Sequence, residues 1–295
     1  MENRGRRFGR QGPAAPPGPP APPGAPAPLG APAPPGLPDA PPDTSWDHVA
    51  SWYDKLVGDE GSDYHRHVLL PAAMRMLDPR PGERVLDLSC GQGVRARLLA
   101  RQDVTEVVAV DAGKAMIAAA KARRTSPKVC YVVADARNLG DLADGTFDAA
   151  ACLMAVQDLD DVGGVFAGMA AALRVGGRAV VVMMHPCFRI PRQSSWGWDE
   201  EKKAQYRRLD RYASLLAIPI ATHPGSAGGQ QTVFFHRPLS AYINALGSAG
   251  LAVAACEELL SHHQSEPGGR SRGENRSRRE FPVFLAFKAI KLPAP

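Results

Sequence analysis

From Arg84 to Ile290, short apolar runs alternate with segments whose apolar residues recur every three or four positions. That alternation is the pattern of a parallel sheet whose strands are joined by helices. Arg84–Leu88 is rich in Val and Leu and predicts a buried strand, and Val94, Leu98 and Leu99 have helical spacing just after it. Glu106–Val110, Lys128–Ala134, Phe147–Leu153 and Arg178–Met184 predict four more strands, with helices over Lys114–Arg123 and Asp161–Leu173. Upstream, Trp46, Val49, Ala50 and Tyr53 share one helix face, and Val68, Leu69, Ala72 and Met76 form the apolar side of a second helix over Tyr64–Leu77. The alternation breaks at His185–Pro238, a polar and aromatic segment, and ends with a helix over Leu239–Gly247 and strands over Leu251–Glu257 and Phe281–Ile290. Between those last strands lies the Gly/Ser/Arg-rich stretch His262–Arg279, read as a loop. Two strands joined without a crossover are most simply antiparallel.

The first strand carries the chemistry. It contains Asp87 and runs into the small-residue turn Ser89-Cys90-Gly91-Gln92-Gly93 before the helix. Glycine tolerates positive φ and has no Cβ to hold a ligand away, and the helix start offers free N–H groups. Gly91, Gly93 and Ala96 also satisfy a dinucleotide-binding pattern, which is weak by itself. Asp87 at the strand exit argues against a pyrophosphate, which wants a bare helix N-terminus, and suits a ligand with positive charge. Asp111, ending the second strand, stands where an acid can bridge ribose hydroxyls. For each such Asp, turn formation or helix capping is the alternative role.

The stretch VLDLSCGQG resembles the first motif of the class I S-adenosylmethionine-dependent methyltransferases, whose cofactor carries an ammonium and a sulfonium and no phosphate. The resemblance covers roughly residues 45–291. It implies a doubly wound α/β fold with a seven-stranded, mostly parallel sheet in the order 3-2-1-4-5-7-6 and a terminal antiparallel hairpin. SWDHVASWYDKLVGDEGSDYHRHVLLP is similar to the N-terminal cap of the family's small-molecule members, where a tyrosine, here Tyr53, closes over the cofactor. Packing of Trp52 and Tyr53 onto the core explains the same residues. VVADARNL resembles the element whose Asp, here Asp135, accepts from the adenine amino group while the N–H of Ala136 meets a ring nitrogen. Leu153, ending the fourth strand, completes the implied cofactor set of Tyr53, Asp87, Gly91, Gly93, Asp111, Asp135 and Ala136. HPCF, YRRLDRY and FHRPLS look like a subgroup with a methyltransferase type 11 domain, whose substrate-side insertion would be 185–238.

Composition changes the picture mainly at the ends. Residues 12–42 are almost entirely Pro, Ala and Gly, so 1–43 reads as a disordered or polyproline-like tail and 44–295 as the methyltransferase domain. The formal net charge of +5 comes largely from arginines at 4–10 and 270–279, a pattern of solvated charge runs more than of a nucleic-acid footprint. Cys90, Cys130, Cys152, Cys187 and Cys256 are widely spaced without a C-x-x-C pair, so neither a metal site nor a disulfide framework is expected. No apolar run reaches membrane-spanning length, and the expected location is the cytoplasm.

Methyl transfer from a sulfonium is an in-line displacement that needs positioning and, at an oxygen nucleophile, a base. His185 in VVVMMHPCF and His236 in VFFHRPLS are the catalytic candidates, with backbone bonding or capping as the alternative for each. The expected reaction is methylation of a small organic acceptor at oxygen or ring carbon of an aromatic or quinone-like compound, without nucleic acid or membrane as partner. A methyltransferase acting on RNA or protein, and a non-catalytic cofactor-binding module, are the alternatives; CLMAVQDL replaces the N/D-P-P-Y/F element of base-methylating enzymes.

Overall fold

The computed structural model describes residues 46–123, 126–221 and 231–294. The predicted tail lies outside the described residues. Five parallel strands form the centre of the sheet: β1 (Arg84–Leu88), β2 (Glu106–Asp111), β3 (Val129–Val133), β4 (Phe147–Leu153) and β5 (Leu173–Met184). Beside β5 runs β11 (Phe284–Lys291), antiparallel to it, and then β10 (Leu251–Leu259), antiparallel to β11. The order β3-β2-β1-β4-β5-β11-β10 is the expected one once strands outside this sheet are set aside.

Period-two alternation explains why both faces are apolar. Leu86, Leu88, Val108, Val110, Val181 and Met183 point to one side, under α5 (Val162–Ala172) and α6 (Leu239–Ser248). Val85, Val107, Ala109, Val180 and Val182 point to the other, against α2 (Leu70–Leu77), α3 (Val94–Leu99) and α4 (Lys114–Ala122). Asp87 shares parity with Val85, so its side chain is directed toward the α3 side. The β10 edge is broken by a bulge between Val253 and Ala255 and carries Glu257 and Glu258, features that discourage pairing with another chain.

Several elements differ from the sequence reading; β5, for example, begins at Leu173 rather than Arg178. The stretch expected to be a loop at 262–279 contains α7 (Ser271–Glu280), which packs on the inserted hairpin; its Ser277 hydroxyl donates to the Gln205 carbonyl at 2.7 Å. Exposed Arg and Glu obscure its helical period, because little of it is buried. The 185–238 insertion forms two hairpins, β6 (Ser194–Asp199) with β7 (Ala204–Leu209) and β8 (Leu216–Ala221) with β9 (Gln231–His236). The second cap helix begins as a π-helical turn over His65–Leu69 before α2, a distortion often found beside functional sites.

The cap, including α1 (Ala50–Val57), clasps α4 at both ends. Asp47 accepts from the N–H groups of Lys114 and Ala115 at 3.0 and 2.9 Å, capping that helix from a distance of sixty-odd positions in sequence. At the other end, Arg123 donates to the Asp54 carboxylate at 3.0 and 2.6 Å. Asp47→Ala is therefore expected to lower unfolding free energy by about 0.5–2 kcal/mol, whereas Asp47→Asn retains most of it. Urea denaturation of both variants checks this, and equal midpoints for Asp47→Ala and the parent would remove the capping role.

Candidate functional site

A cavity of about 840 Å³ opens at the carboxyl ends of β1, β2 and β4, where ligands bind in open α/β sheets. The glycine turn, the cap, the post-β4 loop and the second inserted hairpin all contribute to its lining. Ser89 and Met154, at the exits of β1 and β4, both adopt left-handed backbone with φ of 51° and 57°. Such strain in a non-glycine residue persists only where the surrounding structure dictates it.

The two glycines have different jobs. Gly91 has φ of +55° and faces the cavity, where an added Cβ would meet only a Tyr53 ring carbon at 3.6 Å. Gly93, at φ +82°, precedes α3, and its missing Cβ leaves room for the Tyr131 hydroxyl, which would otherwise be 2.5 Å away. It does not line the cavity, so its requirement is packing rather than ligand approach.

Asp111 is held at the end of β2 by two backbone donors, Gly91 N–H to Oδ2 and Gly113 N–H to Oδ1, each at 2.8 Å. Burial pushes its carboxyl above the usual range although both hydrogen bonds oppose this. The carboxylate thus sets the glycine turn and retains lone pairs toward the cavity. Tyr53 lies across from Gly91, half-buried, and its phenol is pushed up to about 12 by burial and by the Asp158 and Asp111 carboxylates. It stays a protonated donor.

Asp135 and Ala136 both line the cavity, but Asp135 is engaged by Arg137 through Nε at 3.0 Å and Nη2 at 2.7 Å, which holds its carboxyl below the usual range. Arg137 also reaches Asp160 at 2.5 Å. Leu153 also lines the cavity.

Asp87 departs from expectation. It is fully buried and does not line the cavity; its Oδ1 pairs with Arg95, and its Oδ2 has no partner among the described residues. Arg95, in the first turn of α3, also donates to the Leu88 and Ala151 carbonyls at 3.1 and 3.2 Å. Strand parity, not ligand charge, directs this carboxylate.

The two histidine candidates, His185 and His236, are not among the residues that line the cavity. His185 is 1% exposed, accepts at Nδ1 from the Cys187 N–H at 3.2 Å and meets Glu258 through Nε2 at 3.0 Å. With Nδ1 accepting, the Nε2 proton goes to Glu258, and the ring ties β5 to β10. His236 donates through Nε2 to the Tyr212 carbonyl at 2.7 Å. Burial lowers both below the ordinary histidine value.

Two titratable residues that the sequence reading passed over do line it. His65, from the π-helical turn, bonds Ser62 Oγ through Nδ1 at 2.7 Å and is lowered to about 4 by burial and by Arg95, so it is neutral. Asp158 lies five residues beyond β4, its carboxyl has no hydrogen bond or ion pair among the described residues, and burial raises it to about 8. The Gln157 carbonyl accepts from the Phe235 N–H of β9 at 2.7 Å, and Arg237 donates to the Leu159 carbonyl at 2.7 Å, so the insertion fixes this loop. The available sequence signal was an acid just past a parallel strand in MAVQDLD.

These groups fit the expected cofactor. Arg95 is committed to Asp87 and Arg137 to Asp135 and Asp160, which leaves Asp111 and Asp158 as the cavity carboxyls without a cationic partner among the described residues. That is a site for a cation with hydroxyls, and a poor one for a phosphate.

Residues 86–181 match the family model described as a methyltransferase domain. The chain is 37% identical over 179 residues to demethylmenaquinone methyltransferase of Beutenbergia cavernae, spanning 61% of this chain and 69% of that protein. It is 27% identical over 230 residues to 2-phytyl-1,4-naphtoquinone methyltransferase of Synechococcus elongatus, spanning 76% and 91%. Among solved structures, an S-adenosylmethionine dependent methyltransferase from Mesorhizobium loti superposes with a TM-score of 0.61 at 28% identity, over 75% of this chain and 96% of that one. Sheet order, cavity and relatives agree: the chain belongs to the class I S-adenosylmethionine-dependent methyltransferases.

Proposed function

We propose that this enzyme methylates a flat, apolar, quinone-like acceptor at a ring carbon or oxygen, with Asp158 as the proton acceptor. The observation that carries the proposal is the polarity of the cavity along its length. Beside β1 and β2 the lining includes Gly91 and Asp111, whereas beside β5 and β11 it includes Met184 and Phe284, and Leu69, Ile220 and Phe234 add further apolar wall. Aromatic and aliphatic walls favour a flat apolar ring, and few polar groups remain there to orient it. The names of the two quinone-type relatives support the same acceptor class. Among the described residues no helix is long and apolar enough to cross a membrane.

In this reading the cofactor, when bound, supplies an electrophilic methyl on a positively charged sulfur. Asp111 accepts from ribose hydroxyls, the Ala136 N–H meets the adenine, and Asp135 with Arg137 holds that loop. Tyr53 and Leu153 enclose the cofactor, and Gly91 permits its close approach. Asp158 faces the same cavity and takes the proton that the acceptor loses. A positive charge nearby lowers a carboxyl by about 1–3 units, which brings Asp158 to its ionised form near neutral pH.

Incubation with methyl-labelled cofactor and either a demethylated naphthoquinol or bulk RNA tests the acceptor class. Label is expected in the organic extract; label in the RNA fraction would overturn the reading. Asp158 is tested separately by calorimetry. Because its carboxyl sits at about 8 in the free protein, binding a cation releases a proton below that pH. Affinity for S-adenosylmethionine should therefore rise by about 10- to 100-fold between pH 6 and 8 relative to its uncharged-sulfur product, then level off. Asp158→Asn should flatten the ratio. A ratio that keeps its slope in the variant assigns the proton elsewhere.

A further inference from the structure

Outside the cavity, the cap and the segment after β10 bring four metal-ligating side chains together. Asp63 and His67 stand one turn apart at the start of the second cap helix, on the same face. His262 and His263 follow β10 and lie against them. The ligand atoms of Asp63, His67 and His262 all lie within 4.8 Å of one another. His262 Nε2 and His263 Nε2 are 2.8 and 3.0 Å from Asp63 Oδ2, and His67 Nε2 is 3.6 Å from Asp63 Oδ1.

The geometry points to a site for one divalent transition-metal ion of the zinc type, held by Asp63, His67 and His262, with His263 or water as the fourth ligand. A tetrahedral ion with bonds of about 2.0–2.1 Å separates neighbouring ligand atoms by roughly 3.3 Å, in the middle of the distances found here. A second observation favours an ion over a plain carboxylate–imidazole cluster. Asp63 Oδ2 is buried and makes no hydrogen bond of acceptable geometry among the described residues, although two imidazole nitrogens lie within 3.0 Å of it. An oxygen left without a hydrogen bond in this position keeps its lone pairs for an ion. Imidazole donors also select zinc, cobalt or nickel over magnesium or calcium, which prefer all-oxygen shells.

The ion would join two distant parts of the chain. The His262 and His263 rings lie edge-on to Tyr64 at 5.2 and 5.1 Å, and the Tyr64 hydroxyl bonds Ser261 Oγ at 2.9 Å. Tyr64 lines the cofactor cavity. The site therefore pins the cap to the β10–α7 connection and fixes one cavity wall, as a structural metal does, without touching the reacting atoms. It is independent of the acceptor proposed above.

The test uses the full chain without an affinity tag, stripped with a chelator and then titrated with Zn²⁺ or Co²⁺. One ion is expected to bind per chain with micromolar or tighter affinity, to raise Tm, and with Co²⁺ to produce the intense visible absorption of a tetrahedral site. His67→Ala with His262→Ala, and separately Asp63→Asn, should weaken binding by more than about 100-fold while melting with the chelated parent. Absence of binding, equal binding by the double variant, or an equal Tm rise with Mg²⁺ would each overturn the proposal. A metal-free Tm that responds only to pH would assign the cluster to ion pairing and overturn it as well.

Discussion

Arg95→Ala is expected to destabilise the protein by about 3–5 kcal/mol, more than any other single change considered for this fold. The reason is the charge it leaves behind. Asp87 is fully buried in the sheet, and Arg95 is its cationic partner as well as a donor to the Leu88 and Ala151 carbonyls. Removing one member of a buried pair strands the other, which is far worse than losing the pair as a unit. Asp87→Asn combined with Arg95→Met should therefore be closer to the parent than Arg95→Ala alone. The pH dependence has a definite sign. Burial already raises Asp87 above its ordinary value despite Arg95, so the folded state holds that proton more tightly than the unfolded chain does. Stability from this group is then lost as pH rises from about 4, and deleting Arg95 extends the loss to higher pH. The deficit of Arg95→Ala should be small near pH 4 and full near pH 8. Urea denaturation at both values decides it, and a deficit independent of pH would detach it from Asp87.

The second large effect falls on cofactor affinity. Asp111→Ala is expected to weaken S-adenosylmethionine binding by about ten- to a thousandfold, from charge-assisted hydrogen bonds worth about 1.5–3 kcal/mol each, reduced by water entering the site. The carboxylate also accepts from the Gly91 and Gly113 N–H groups. The free protein should therefore lose about 1–2 kcal/mol as well, because two backbone donors are left without their acceptor. Asp111→Asn should be milder on both counts, since its amide oxygen still accepts one bond. Helix capping does not confound the result, because α4 is capped by Asp47. Calorimetric titration and denaturation of both variants separate the quantities. Unchanged affinity in Asp111→Ala would remove the carboxylate from cofactor recognition.

The comparison of Asp87 with Asp111 shows what a motif can and cannot say. Asp87 is the last residue but one of β1 and Asp111 the last of β2, both near the glycine turn, and both read as ligand-facing acids. Asp111 reaches the turn and the cavity, whereas Asp87 is turned under α3 by the parity of β1 and neutralised there by an arginine eight residues on. Parity is a sequence property, but which face the ligand approaches is not. The histidines repeat the lesson: His185 and His236 stand near the right strand ends, yet hydrogen bonds to Glu258 and the Tyr212 carbonyl turn both rings away.

By itself the sequence determined the alternating strands and helices of the layered fold and the place of the glycine turn, because these follow from local periodicity and from the conformational freedom of glycine at Gly91 and Gly93; the strand order came from the resemblance of VLDLSCGQG to a known family. It also marked Tyr53, Asp111, Ala136 and Leu153 for one cavity. Only the tertiary structure decided the charge balance of that cavity, since Arg95 and Arg137 cancel some carboxylates and leave Asp111 and Asp158 without a cationic partner. It alone showed α7, whose exposed charged faces carry no apolar period, and the contacts of Asp47 with α4 and of Asp63 with His262. Those pairings join residues far apart in the chain, and no local pattern encodes a distance that folding creates.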